Sequence, residues 1–224
     1  VVGPQGPTGD TGPEGPTGAT GPQGPAGPAS GIIAASNMRF SIDDRSGWVH
    51  VEALGDDTCQ TSIPLGFTYN GFGASTSTIS VSSNGIVFLG PNCSTSFTNT
   101  SLPTGISNNA MVFFFWDDLN DAGGGEYFEY TTLGTAPGRV FNLYFRQRFL
   151  SSTCGSDPIQ VMLAIHEGSG LIKATYSGFS GCTLVRGSGA TLGMQTAGGA
   201  IATAFIVGYN SPVLDDNGGM QFMS

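Results

Sequence analysis

The sequence predicts an all-β protein in two parts. A β-sandwich or jelly-roll head is expected over residues 40–224, preceded by a polyproline-II triple-helical stalk over residues 1–29, with a junction at 30–39. Three observations carry this prediction. Glycine recurs at every third position from Gly3 to Gly27. From Phe40 onward, short apolar runs alternate with clusters of Gly, Asn, Asp and Ser, and no window holds a 3.6-residue period with helix caps. Four cysteines in a chain of only 10% charged residues suit a disulfide-stapled fold outside the cell.

The stalk is read first. Gly3, Gly6, Gly9, Gly12, Gly15, Gly18, Gly21, Gly24 and Gly27 keep the period without a miss, and proline follows most of them. Three polyproline-II chains wind together only where each third residue lacks a side chain, because the shared axis admits hydrogen alone. The register therefore demands a homotrimer, so the expected partner is the chain itself. No proline fills the third place of a triplet; Thr8, Thr11, Thr17 and Thr20 stand there with outward hydroxyls, as candidate O-glycosylation sites. These triplets resemble the Gly-Pro-Thr collagen of bacterial surface proteins and some phage fibres, in which such hydroxyls can carry sugars. So short a rope gains little against the entropy of aligning three chains, and the head is expected to hold the trimer. Ser30 breaks the period, and the apolar stretch 31–35 reads as the place where the chains part.

Within the head, strands are expected at 48–54, 63–69, 79–82, 86–89, 111–116, 126–131, 140–150, 159–166, 171–177, 190–196, 200–207 and 219–223. The clearest is 140–150. Phe141, Leu143, Phe145 and Phe149 alternate there with Asn142, Tyr144, Arg146 and Arg148, which gives one core face and one wet face. Residues 159–177 form a hairpin about Gly168 and Ser169, which sets Ile165 opposite Ile172, Leu163 opposite Ala174 and Val161 opposite Tyr176.

Four cysteines allow three pairings. The hairpin register brings Cys154 and Cys182 together at its open end, leaving Cys59 to pair with Cys93. Disulfides persist in oxidising surroundings, so an extracellular or cell-surface location is expected.

The chemistry available is narrow. Sixteen acidic residues against seven basic ones give a net charge of −9, which disfavours nucleic acid and anionic lipid as partners. No apolar run reaches the length of a membrane span, so no insertion is expected. The chain begins Val1-Val2-Gly3 and shows no targeting segment, which implies removal or omission of one. His50 and His166 stand in no catalytic frame, and the protein is read as a non-enzyme. A hydrolase would need paired carboxylates, for which Asp117 and Glu126 are the candidates. No cofactor is expected apart from calcium, for which Asp117, Asp118 and Asp121 supply oxygens in a Gly-rich loop that departs from the EF-hand spacing. Sequon-type triplets begin at Asn92 and Asn99 in a Ser/Thr-rich stretch.

Three motifs occur in order: Val81-Ser82-Ser83-Asn84-Gly85-Ile86-Val87-Phe88, then Met111 through Trp116-Asp117-Asp118-Leu119, then the hairpin from Ile159 to Tyr176. With these the head resembles the nidogen-type (NIDO-like) extracellular β domain found in many bacterial surface proteins. The resemblance implies an adhesive or matrix module and carries no catalytic residues. The function expected is that of a homotrimeric structural subunit of an extracellular collagen-like appendage or filament, its head mediating trimerisation and subunit contacts. The alternative is an adhesive tip on a spore surface or phage fibre that binds a glycan or a surface receptor.

Overall fold

Apolar and polar residues alternate along short runs that glycine and asparagine interrupt, and in the computed structural model these runs become extended strands. The structure describes residues 1–6, 31–35, 44–52, 55–120, 125–149, 158–178, 182, 184–215 and 218–224. Among them the strands are β1 Gly31–Ala35, β2 Val49–Glu52, β3 Cys59–Gly71, β4 Ala74–Ser82, β5 Ile86–Leu89, β6 Ala110–Trp116 and β7 Leu119–Asn120. They continue with β8 Tyr127–Leu133, β9 Val140–Phe149, β10 Ile159–His166, β11 Ile172–Ser177, β12 Thr191–Gln195, β13 Ala204–Tyr209 and β14 Gly219–Met223. Helix among the described residues is limited to single 3₁₀ turns at Leu184–Arg186 and Gly199–Ile201.

Two antiparallel sheets result. The larger has the order β1-β14-β11-β10-β9-β8-β2, with β7 also pairing β9; the smaller runs β13-β12-β6-β5-β4-β3. Consecutive strands pair from β3 to β6 and from β8 to β11, which is the order of meanders and not the interleaved order of a jelly roll. The architecture is a β-sandwich. Its core lies between the sheets, where Phe141, Leu143, Phe145, Leu163 and Tyr176 meet Leu65, Phe67, Val81, Val112 and Phe114.

The second face of the smaller sheet is buried as well. Ile86, Phe88, Leu102, Met111, Phe113 and Trp116 form a separate apolar cluster there, so the segment between Gly90 and Asn109 is a strap laid over β5 and β6. The strap is fastened by the Cys59–Cys93 disulfide, by the Trp116 indole N–H donating to the Ser96 carbonyl at 2.8 Å, and by the Thr191 hydroxyl donating to Thr100 O at 2.7 Å. Hence the unbroken apolar run of β6, buried at every residue, is that of a strand covered on both faces.

The hairpin register holds: Ile165 pairs with Ile172, Leu163 with Ala174 and Val161 with Tyr176, and all six are buried. Three expectations need correction. The face of β9 that should be wet is partly sealed, since Asn142 and Tyr144 are buried, Tyr144 beneath the Arg45 guanidinium 3.9 Å from its ring. The stretch read as a plain junction contains β1, whose branched Ile32 and Ile33 belong to a strand paired along β14 from Gly31↔Met223 to Ala35↔Gly219. The strand expected from residue 200 begins at Ala204, because the glycine-rich Gly199–Ile201 segment turns in a 3₁₀ helix first.

Candidate functional site

The two ends of the sandwich differ in chemistry. At the end where β3 begins, Asn84 is wholly buried between three chain segments. Its side-chain oxygen accepts the Leu119 N–H at 3.0 Å, while its amide nitrogen donates to Asp57 Oδ1 at 2.7 Å and to the Thr95 carbonyl at 3.2 Å. Gly85 follows with φ +74°, and a Cβ there would stand 2.0 Å from the Phe115 carbonyl oxygen. The Asn84-Gly85 pair forms the turn between β4 and β5, and this turn is a buried clamp that admits no side chain at its second position.

Three carboxylates gather beside this clamp. Oxygens of Asp56, Asp57 and Asp118 lie within 4.8 Å of one another. Desolvation, followed by repulsion from Asp56 and Asp57, holds the Asp118 carboxyl above its ordinary range. Of the residues expected to hold calcium, Asp118 joins this group, Asp121 lies outside the described residues, and Asp117 turns away. Asp117 packs against Gly189, accepts the Asp118 N–H at 2.8 Å, and is pushed up to about 6 by burial. Three oxygens supply half or less of the six to eight that calcium takes. Asp56 and Asp57 escaped sequence reading because they precede β3, far along the chain from Asp118, and only the fold brings them together.

Glu126 is sealed, with its carboxylate 2.8 Å from Arg148 Nε and no exposed side-chain surface. His166 ends β10, and burial lowers its imidazole pKa. His50 belongs to a different group on the outer face of the larger sheet. There Nδ1 lies 3.0 Å from Glu129, whose other oxygen takes the Arg45 guanidinium at 2.6 Å. The Tyr127 ring lies 4.9 Å from the imidazole, and Tyr144 donates to Gln160 at 2.7 Å. This face, beside edge strand β2, carries an aromatic and charged cluster with no local signal in the sequence.

The four cysteines divide as follows. Cys59 and Cys93 are bonded as expected; Cys182 is disulfide-bonded, and Cys154, its expected partner, lies outside the described residues. Of the stalk glycines, Gly3 and Gly6 are described and exposed; Gly9 to Gly27 lie outside, as do Thr8, Thr11, Thr17 and Thr20. Asn99 is structural, its amide nitrogen donating to Gly189 O, Thr191 Oγ1 and Asn210 Oδ1.

A family model described as NIDO related matches residues 33–218. The chain belongs to the NIDO-related family. No curated protein and no solved structure matches it. The NIDO-related region takes in the Asn84-Gly85 clamp, the Trp116-Asp117-Asp118 strand end and the β10–β11 hairpin, and it reaches into β1 at Ile33. Membership of this extracellular domain family together with the Cys59–Cys93 bond marks a secreted or extracellular protein. Among the described residues no helix is long and apolar enough to cross a membrane.

Proposed function

We propose that this NIDO-related protein is a structural subunit of an extracellular collagen-like appendage or filament, of the kind found on bacterial surfaces or phage fibres. It acts as a homotrimer, without catalysis: a triple-helical stalk spaces the heads, and the heads hold the trimer and contact neighbouring subunits. The observation that carries this reading is glycine at every third position from Gly3 to Gly27, a restriction that only a three-chain axis imposes. The low lysine and arginine content supports it by disfavouring nucleic acid and anionic lipid. Sedimentation and light scattering of the full chain are expected to give a trimer. Circular dichroism is expected to show the positive triple-helix band near 220 nm with its own melting step, and electron microscopy is expected to show fibres. A monomer without that band rejects the proposal.

A second reading, adhesion to a glycan or surface receptor, draws support from the half-exposed His50 and Tyr127 beside Arg45. That cluster lies at the sheet edge opposite β1, away from the stalk's point of entry. Binding on a glycan array that disappears in Tyr127→Ala would favour it; wild-type binding in that variant, or none in either, would not.

A further inference from the structure

Several contacts fix which end of the head receives the stalk. β1 starts at Gly31, four residues after the last repeat glycine, and Gly31 pairs with Met223 beside the final residue Ser224. The Ser224 hydroxyl packs against Gly71 in the β3–β4 turn and against Gly170 in the β10–β11 turn. Phe72 of the first turn accepts the Ala197 N–H at 3.0 Å, which draws the β12–β13 connection to the same end. β1 and β13, each the terminal strand of its own sheet, also touch.

We propose that this end, along the seam between β1 and β13, is the surface on which two further copies of the chain dock to form the head trimer. The proposal rests on the stalk being a triple helix. Three chains sharing one axis bring their Gly31 residues close to it, so whatever surrounds Gly31 faces the other copies. Exposed apolar side chains lie on the elements that gather at this edge. Ile201, on the 3₁₀ turn, is 93% exposed; Met223 is 45% and Ile206 on β13 is 43% exposed. An isoleucine that fully presented to water is an anchor without a pocket in the single chain.

The distribution of charge singles out the edge of the sandwich formed by β1 and β13. No ionisable Asp, Glu, Lys, Arg or His occurs between residues 187 and 214, nor in 31–38 or 218–224, which together supply β1, β12, β13 and β14. Arg139 and Glu167, close to the β10–β11 turn, cancel in an ion pair of 2.6 Å. Asp56, Asp57 and Asp118 gather at the opposite end, beside the start of β3. Copies that each carry −9 repel, and this edge, where Lys173 opposite Gln221 is the nearest charge on the adjoining strand β11, carries no acidic residue in its own strands.

The test compares full-length chains carrying Ile201→Glu or Ile206→Glu with a chain carrying Phe97→Glu. Phe97 is exposed at the far end, next to the Ser96 carbonyl that binds Trp116. Sedimentation equilibrium and the triple-helix melting band are the readouts, and the thermal unfolding of the head serves as a check on folding. Each isoleucine variant is expected to raise the concentration of half-dissociation about tenfold or more and to lower the stalk midpoint, with head unfolding unchanged. Phe97→Glu is expected to match wild type. Ile201→Ser, a change that adds no charge, is expected to weaken the trimer in the same direction. A trimer indifferent to both isoleucine substitutions overturns the docking surface while leaving the stalk reading intact. A wild-type chain that is monomeric and lacks the triple-helix band removes the stalk reading, and this proposal with it.

Discussion

Asn84 stands at the meeting of β4, the Asp57 turn and the strap, and its removal leaves a buried N–H and a carboxylate without their partner. Asn84→Ala is expected to cost about 1–3 kcal/mol for the orphaned groups, read as a lower urea midpoint with unchanged slope. Asp117 has the opposite character. Its carboxyl is pushed up to about 6, first by burial, so the folded form holds a proton that the unfolded chain releases near 3.8. Stability from this group is complete below pH 4 and declines as pH rises through 6. Asp117→Asn, which can still accept the Asp118 N–H, is expected to be more stable than wild type at pH 7 and to flatten the fall between pH 4 and 6 in urea titrations. An unaltered slope would count against it. The sequence shows the Asn84-Gly85 turn but not its burial, and it places Asp117 as a ligand beside Asp118, where the structure sets the two apart. The two aspartates form the bend between β6 and β7, where Asp117 faces Gly189 and Asp118 faces Asp56 and Asp57.

At the level of elements, the strap shows why the smaller sheet needs no third layer of strands. A run of nearly twenty residues without secondary structure keeps its place because Cys93 ties it to β3 and Leu102 plugs the outer cluster. Cys59→Ser with Cys93→Ser is expected to lower stability by about 2–4 kcal/mol and to open the strap to protease cleavage between residues 91 and 109 before the strands are cut. Cleavage starting elsewhere would show that the strap is held by its hydrogen bonds alone. Strands with strict alternation were legible, β10 to the residue and β11 to within one residue. β1 was not, because a five-residue apolar stretch gains its strand character from β14, nearly two hundred positions later. β7, a two-residue pairing with β9, carries no local signal at all.

For the molecule as a whole, the proposed trimer makes one demand on the stalk that the head does not share. A side chain at Gly15, midway along the repeat, would fill the axis; Gly15→Asp is therefore expected to abolish the triple-helix band at all temperatures while leaving head unfolding within about 0.5 kcal/mol of wild type. Coupled loss of both signals would mean that stalk and head do not fold as separate units. The sandwich class was readable from strand spacing and turn residues, whereas the sheet order and the gathering of Asp56, Asp57 and Asp118 at one end arise only from long-range pairing.

The first and last strands of the head lie side by side, and this has a mechanical consequence. Antiparallel hydrogen bonds run perpendicular to their strands, so a pull along β1 loads all five pairs with β14 in shear at once instead of peeling them one after another. Tension arriving from the residues before Gly31 would thus pass into the middle of the larger sheet through β14 and β11, making the β1–β14 pair the joint that bears the tug.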